Sequence, residues 1–87
     1  MTIVKKVSAG TTESSDAYVE LEPTEGGNEI HIESAVLGQF GESIRASVED
    51  VLKQFDVQNA KINVVDQGAL DCVLRARVET AIVRGKE

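Results

Sequence analysis

The side chains most able to do chemistry lie together in one short stretch near the N-terminus. Residues 10–16 read GTTESSD, which places four hydroxyl groups within seven positions. Small polar residues of this kind form turns, in which Ser and Asp side chains bond to nearby backbone groups. A turn hydroxyl is also accessible to a modifying enzyme. Physical chemistry alone does not choose among the hydroxyls of Thr11, Thr12, Ser14 and Ser15.

Other candidate groups are isolated. A nucleophilic hydroxyl needs a neighbouring base, and the sequence holds one histidine, His31, which we expect to be solvated. The single cysteine, Cys72, cannot form an internal disulfide and is predicted to be a small buried thiol. No Cys and His cluster has metal-ligand spacing. We therefore predict a chain that is not an enzyme on its own and binds no metal.

Charged residues form two further groups. An acidic series is predicted to be mostly the outward face of a hairpin, and only secondarily a docking surface for a basic partner. It consists of Glu20, Glu22, Glu25, Glu29 and Glu33. Arg75 and Arg77 share the polar face of a predicted helix, where solvated arginines are commoner than phosphate-binding ones.

Strands must position the hydroxyl-rich stretch. Apolar residues alternate with polar ones over 17–21 and again over 30–32, which predicts two half-buried strands. The polar loop 23–27 between them, with one Pro and two Gly, predicts that they form a hairpin. A third strand is predicted over 61–64, and a short edge strand over 3–7.

Two helices complete the pattern. Apolar residues at steps of three and four predict a helix from about Ala35 to Phe55, with a first turn weakened by two glycines, and another from about Ala69 to Arg84. The first stripe is Phe40, Ile44, Val48, Val51, Leu52 and Phe55. The second is Leu70, Val73, Leu74, Val78, Ala81 and Ile82. Asp66 or Gly68 is the predicted cap of the second helix.

The order of elements predicts an α+β fold in a single domain over residues 1–87. We expect a small two-layer domain, a sheet of three to four strands with two amphipathic helices packed on one face. Nine Lys and Arg against 15 Asp and Glu give a net charge of -6, which disfavours nucleic acid as a partner. No signal peptide or membrane span is indicated, so we expect a cytoplasmic protein.

Three blocks of sequence carry a family resemblance. They are AGTTESSD at 9–16, QFGESIR at 39–45 and DQGALDCVLRARVE at 66–79. Together, and over nearly the whole chain, they resemble the acyl carrier protein, or gamma subunit, of citrate lyase. The AGT-x-ES-x-D and D-x-GALDC-x-LRAR patterns are specific in combination. The D-S-L triplet of ordinary phosphopantetheine carriers does not occur in this sequence.

The resemblance implies that Ser14 bears a covalent prosthetic group, phosphoribosyl dephospho-coenzyme A, through a phosphodiester. Ser15 corresponds to a position where small residues such as glycine appear. The cofactor thiol would carry acetyl and citryl groups while citrate is cleaved to acetate and oxaloacetate. The implied partners are the alpha (acyl transferase) and beta (citryl lyase) subunits, a prosthetic-group transferase and an acetate ligase.

Alternatives remain open at this point. One alternative is the carrier subunit of malonate decarboxylase, which uses a similar prosthetic group. Another is a small α+β interaction or regulatory module that binds a ligand without covalent change, in which the Ser/Thr stretch is only a turn. Two hypotheses concern neighbouring residues. Glu13 and Asp16 would be recognised by the transferase, and Arg75 and Arg77 are the weaker candidates for holding cofactor phosphates.

Overall fold

The computed structural model describes residues 2–34 and 37–86. Six elements follow one another along the chain. They are β1 (Val7–Gly10), β2 (Ala17–Pro23), β3 (Glu29–Ser34), α1 (Leu37–Gln54), β4 (Ala60–Asp66) and α2 (Asp71–Gly85). The strands form one four-stranded sheet and the helices a second layer, as the predicted α+β class requires.

The sheet has the order β1-β2-β4-β3, which corrects the predicted pairing. β1 and β2 are the antiparallel neighbours, with Gly10 opposite Tyr18. β4 lies antiparallel to β2 and parallel to β3, so β2 and β3 are not a hairpin. Alternating apolar residues show which face of a strand is buried, but they do not specify its neighbours.

The core lies between the sheet and the helices. Val19, Leu21 and Ile62 point from the sheet into this layer, and each is fully buried. Val48 of α1 and Val78 of α2 face them and are also fully buried. Burying one such aliphatic side chain contributes about 1.5–3 kcal/mol. Loss of a single one would therefore remove a large part of the net stability of a small domain, which is only about 5–15 kcal/mol.

Helix α1 runs from Leu37 to Gln54, close to the prediction. Ala35 and the side chain of Phe40 lie outside the described residues. At the other end, Asp56 adopts φ 52° and its N–H bonds to the Lys53 carbonyl, while the Val57 N–H bonds to the Leu52 carbonyl. This pair of bonds is a Schellman motif, which ends the helix.

The start of α2 differs from the prediction. The N-cap is Leu70, whose side chain makes no capping bond, rather than Asp66 or Gly68. Asp66 is buried and accepts from the N–H groups of Gly68 and Ala69, at 3.3 and 3.0 Å, so its carboxylate shapes the loop before the helix. Leu70 is 71% exposed and does not belong to the apolar stripe.

The N-terminal edge strand was also misplaced. The strand is Val7–Gly10, not 3–7. Ile3 is buried and forms an isolated bridge with Lys86, while Val4 is exposed. The lysines at 5 and 6 lie between these two segments and are exposed, which is why the apolar pattern breaks there.

Candidate functional site

The hydroxyl-rich stretch is the loop that joins β1 to β2. We call residues 11–16 the serine turn. Gly10, just before it, has φ +90°, and a Cβ atom there would lie 1.9 Å from the Ala17 carbonyl oxygen. Only glycine fits this close approach without moving the backbone. Gly10 therefore permits the close backbone approach to Ala17 at the base of the turn.

A tight reverse turn lies within the loop. The Asp16 N–H donates to the Glu13 carbonyl at 3.2 Å, which makes Ser14 and Ser15 the two central residues. Ser15 has a φ of 65°, whereas Ser14 does not have a positive φ. A negative and then a positive φ is the pattern of a type II turn, whose third position favours glycine. Ser14 therefore occupies the second position of the turn, at one corner, with an ordinary negative φ. Ser15 occupies the third position, where its positive φ is strained for a serine.

Backbone bonds fix the serine turn to the end of β4. The Ser15 N–H donates to the Gln67 carbonyl at 2.8 Å, and the Gln67 N–H donates to the Asp16 carbonyl at 2.9 Å. These bonds extend the β2 and β4 pairing, in which Ala17 is opposite Asp66. The turn is therefore anchored to the sheet on both sides of its second serine.

The Asp16 carboxylate is the main side-chain anchor of the turn. It receives both Nε and Nη2 of Arg77, at 3.0 and 2.9 Å, and also the Thr11 hydroxyl at 2.7 Å and the Ala17 N–H at 2.7 Å. These donors, Arg77 first, hold the pKa of Asp16 well below its usual range, and Asp16 raises the pKa of Arg77 in return. The carboxylate is only 15% exposed.

Among the described residues, Ser14 has an exposed side chain with no hydrogen bond to its hydroxyl, a state that it shares with Thr12 and Ser15 but not with Thr11. The Thr11 hydroxyl instead donates to Asp16. An accessible hydroxyl on a rigidly held corner can be esterified by another enzyme without disturbing a structural bond.

Arg75 lies in a different cluster from Arg77. Its Nε donates to Asp71 at 2.8 Å and its Nη1 to Asp50 of α1 at 2.6 Å. Asp71 also accepts from the buried Ser47 hydroxyl of α1, a bond that, ahead of Arg75, lowers the pKa of Asp71. Ser47 and Arg75 therefore connect the two helices through carboxylates, and Arg75 is neither simply solvated nor beside the serine turn.

The two isolated reactive groups are both exposed. His31 lies on the open face of the sheet, 3.9 Å from Glu29, as predicted. Cys72 is exposed, which contradicts the predicted buried thiol. It lies two residues before the buried Leu74, about 200° around the helix, and so faces away from the core. The acidic series occupies exposed or half-exposed positions, as predicted, but it does not lie on a hairpin, because β4 separates β2 from β3.

Sequence reasoning missed the connection between the serine turn and α2. It considered Asp16 as a recognition element for the transferase and Arg77 as a phosphate ligand, whereas the structure pairs them with each other. The opposite charges of the AGTTESSD and LRAR blocks were the available sign that these two segments pair. Because the two positions are 61 apart in sequence, periodicity could not show that they meet.

Comparisons with known proteins agree on a carrier family. The family model of the malonate decarboxylase delta subunit, an acyl carrier protein, matches residues 4–85. The citrate lyase acyl carrier protein of Pectobacterium atrosepticum is 48% identical over 87 residues, covering 100% of this chain and 91% of that protein. The corresponding protein of Latilactobacillus sakei is 46% identical over 85 residues, covering 98% and 84%.

A solved structure supports the fold. A chain in the crystal structure of a Pseudomonas malonate decarboxylase hetero-tetramer in complex with malonate superposes with a TM-score of 0.83, at 23% identity, covering 94% of this chain and 84% of that one. The superposition shows the same fold, and the family model and the curated relatives define the class of this chain as an acyl carrier protein. Within that class, the chain belongs to the family of citrate lyase acyl carrier proteins.

The described residues also bear on metal binding and membrane insertion. Among the residues that the structure describes, no group of three or more His, Cys, Asp and Glu could hold a metal ion. None of the described helices is long and apolar enough to cross a membrane.

Proposed function

We propose that this chain is the acyl carrier subunit of a citrate lyase and that Ser14 bears its covalent prosthetic group, phosphoribosyl dephospho-coenzyme A. The observation that carries the proposal is the state of Ser14 within its family fold. Its hydroxyl is exposed and makes no hydrogen bond to the described residues, although Asp16 and the Ser15 N–H on its C-terminal side are firmly held. Modification there would break no structural contact.

The residues of the serine turn fit such a group. The Ser14 oxygen would form the ester bond to phosphorus, and the surrounding turn would remain anchored by Gln67 and Arg77. When bound, the group supplies a thiol that carries acyl groups as thioesters. The chain itself contributes a rigid attachment point, so the arm moves while its base does not.

Rigid anchoring and a flexible arm suit delivery to two active sites. A tether raises the effective concentration of the acyl group at each partner, provided that the attachment point stays exposed. We propose that the alpha and beta subunits of the lyase supply all the catalytic groups, and that a prosthetic-group transferase and an acetate ligase act on the carrier. The cytoplasm is the proposed location.

The neighbours of Ser14 have separate functions in this proposal. Glu13 is exposed, and its side chain makes no hydrogen bond or ion pair within the described residues, so it is available for recognition by the transferase. Asp16 and Arg77 hold the turn in shape, which leaves Arg77 a weak candidate for holding phosphates. Arg75 is held by Asp50 and Asp71 and is the weaker candidate still.

Intact mass tests the attachment. Chain expressed with the loading enzymes should gain the mass of the prosthetic group, Ser14→Ala should not, and the matched Ser15→Ala control should. Reverse-charge replacement of Glu13 should slow loading without unfolding the chain. Loading of Ser14→Ala to the wild-type extent would refute the proposed site.

A malonate decarboxylase carrier is the second candidate, because the matching family model and the superposing structure bear that name. Identity near 50% to citrate lyase carriers favours the first. Reconstitution separates the two candidates. Loaded chain should restore citrate cleavage when it is added to carrier-free alpha and beta subunits of citrate lyase. The same loaded chain should not restore decarboxylation when it is added to carrier-free malonate decarboxylase. The reverse result would select the second candidate.

A further inference from the structure

A groove of about 370 Å³ lies between α1 and the segment 66–71 that joins β4 to α2. Its apolar lining comprises Ile44 of α1 and Ala69, Leu70 and Leu74 on the other side. Leu70 is 71% exposed, which is unusual for a large aliphatic side chain beside an open groove. We call this feature the α1–α2 groove.

The α1–α2 groove adjoins the serine turn. Gln67, which accepts from the Ser15 N–H at 2.8 Å and donates to the Asp16 carbonyl at 2.9 Å, directly precedes Gly68 in the groove wall. The corner residue Ser14 is therefore one residue away from a backbone contact with the segment that forms the groove. A long flexible arm attached to Ser14 begins beside this wall.

The polar lining gives the groove a negative character. Asp66 is only 2% exposed, and its described partners are the Ser34 hydroxyl and the Gly68 and Ala69 N–H groups, all neutral. Among the described residues that line the groove, none is Lys, Arg or His. Asp71, also in the lining, is paired with Arg75. An apolar surface bordered by two acidic side chains, with no cationic side chain among its described lining residues, favours a neutral ligand and disfavours an anion.

We infer that the α1–α2 groove shelters the neutral, thiol-bearing end of the arm on Ser14, free or acetylated, and excludes it when it carries the anionic citryl group. This inference rests on the proposed function. The groove would then act as a resting place for the arm between deliveries. Leu70 would cover the arm, because its exposed side chain lies against the groove and not in the core.

Reactivity of the arm thiol tests the inference in loaded protein. Cys72→Ala removes the other thiol, which is exposed. Iodoacetamide, a neutral reagent, should alkylate the arm several-fold more slowly than it alkylates free pantetheine. Leu70→Asn should restore the faster rate. Val83→Asn, which replaces another exposed aliphatic side chain near the end of α2, should not.

Amide NMR shifts give a second readout that does not depend on lyase activity. Loading with the free or acetylated arm should shift the Gly68, Ala69 and Leu70 amides, and loading with a citryl arm should return them to their positions in the unloaded chain. A thiol as reactive as free pantetheine, with unchanged amides, would overturn the inference while leaving Ser14 as the site. Absence of loading at Ser14 would instead overturn the proposed function.

Discussion

The Nε and Nη2 atoms of Arg77 donate to the two carboxylate oxygens of Asp16, at 3.0 and 2.9 Å, across 61 residues of sequence. This two-pronged pair fixes orientation as well as distance. It joins helix α2 to the turn that presents Ser14. Holding the base of the turn against α2 and the end of β4 is what lets the corner residue stay exposed without becoming loose.

Acid should weaken this anchor. Because the pKa of Asp16 is lower in the folded chain than its ordinary value of 3.8, the contribution of Asp16 to stability is fully present above that value. It is lost as pH falls from there toward the folded pKa. We expect the unfolding free energy of the wild-type chain to fall more steeply below about pH 4 than that of Asp16→Asn.

Urea unfolding at a series of pH values checks this expectation. The Asp16→Asn chain should be less stable at neutral pH, and its difference from wild type should shrink as the pH is lowered. Arg77→Gln should behave in the same way, since it removes the same pair. A stability difference that stays constant down to pH 2 would show that the charge of Asp16 contributes nothing.

Gly10 should resist substitution. Gly10→Ala places a methyl group 1.9 Å from the Ala17 carbonyl oxygen at a φ of +90°, so we expect a loss of about 2–4 kcal/mol in unfolding free energy. Gly26→Ala is the matched control, because its φ is +85° but no atom lies within 4 Å of the added carbon. The control should lose only about 1–2 kcal/mol. Equal losses for the two variants, measured by urea unfolding, would disprove the steric argument.

Ser15 should tolerate glycine and retain loading. Its φ of 65° is uncomfortable for a serine, and glycine adopts it freely. Ser15→Gly should therefore leave the unfolding free energy unchanged or raise it by up to about 1 kcal/mol, since relief of strain is partly offset by a more flexible unfolded chain. Prosthetic-group attachment should proceed at the wild-type rate. Loss of attachment in this variant would assign the modified hydroxyl to Ser15.

Ser47 should control the ionisation of Asp71. Its buried hydroxyl donates to that carboxylate and is the largest cause of the lowered pKa of Asp71. Ser47→Ala should raise the pKa of Asp71 toward 3.8, with Arg75 retaining part of the effect. Carboxyl NMR titration measures the change. Ser43→Ala, one turn earlier on α1 and exposed, should leave the pKa of Asp71 unchanged.

Local pattern was enough to find the elements of the fold. Val19 and Leu21 alternate with polar residues in β2, and apolar residues recur at helical spacing around Val48 in α1 and around Val78 in α2. Both patterns arise from burial on one face and can be read within a few residues. Strand order could not be read this way, because β4 inserts between β2 and β3 through contacts far apart in sequence. Cys72 shows a different error, since its apolar neighbours suggested burial although its position on the helix faces solvent.

The site was predictable in part. Composition marked residues 10–16 as a turn, and the family resemblance selected Ser14 from four hydroxyls. The anchoring of the turn could not be predicted, because Gln67 contributes only backbone groups and these carry no side-chain signature. The engagement of Arg77 by Asp16 likewise depends on the β1 and β2 pairing that brings the turn to α2.

Peptide mapping of the loaded chain shows which residue bears the prosthetic group. Protein isolated with its loading enzymes is digested, and fragmentation mass spectrometry locates the adduct within the serine turn. The account predicts a single phosphodiester-linked group on Ser14, with the hydroxyls of Thr11, Thr12 and Ser15 unmodified. An adduct on any of those three residues, or a fully unmodified peptide from an active lyase, would contradict it.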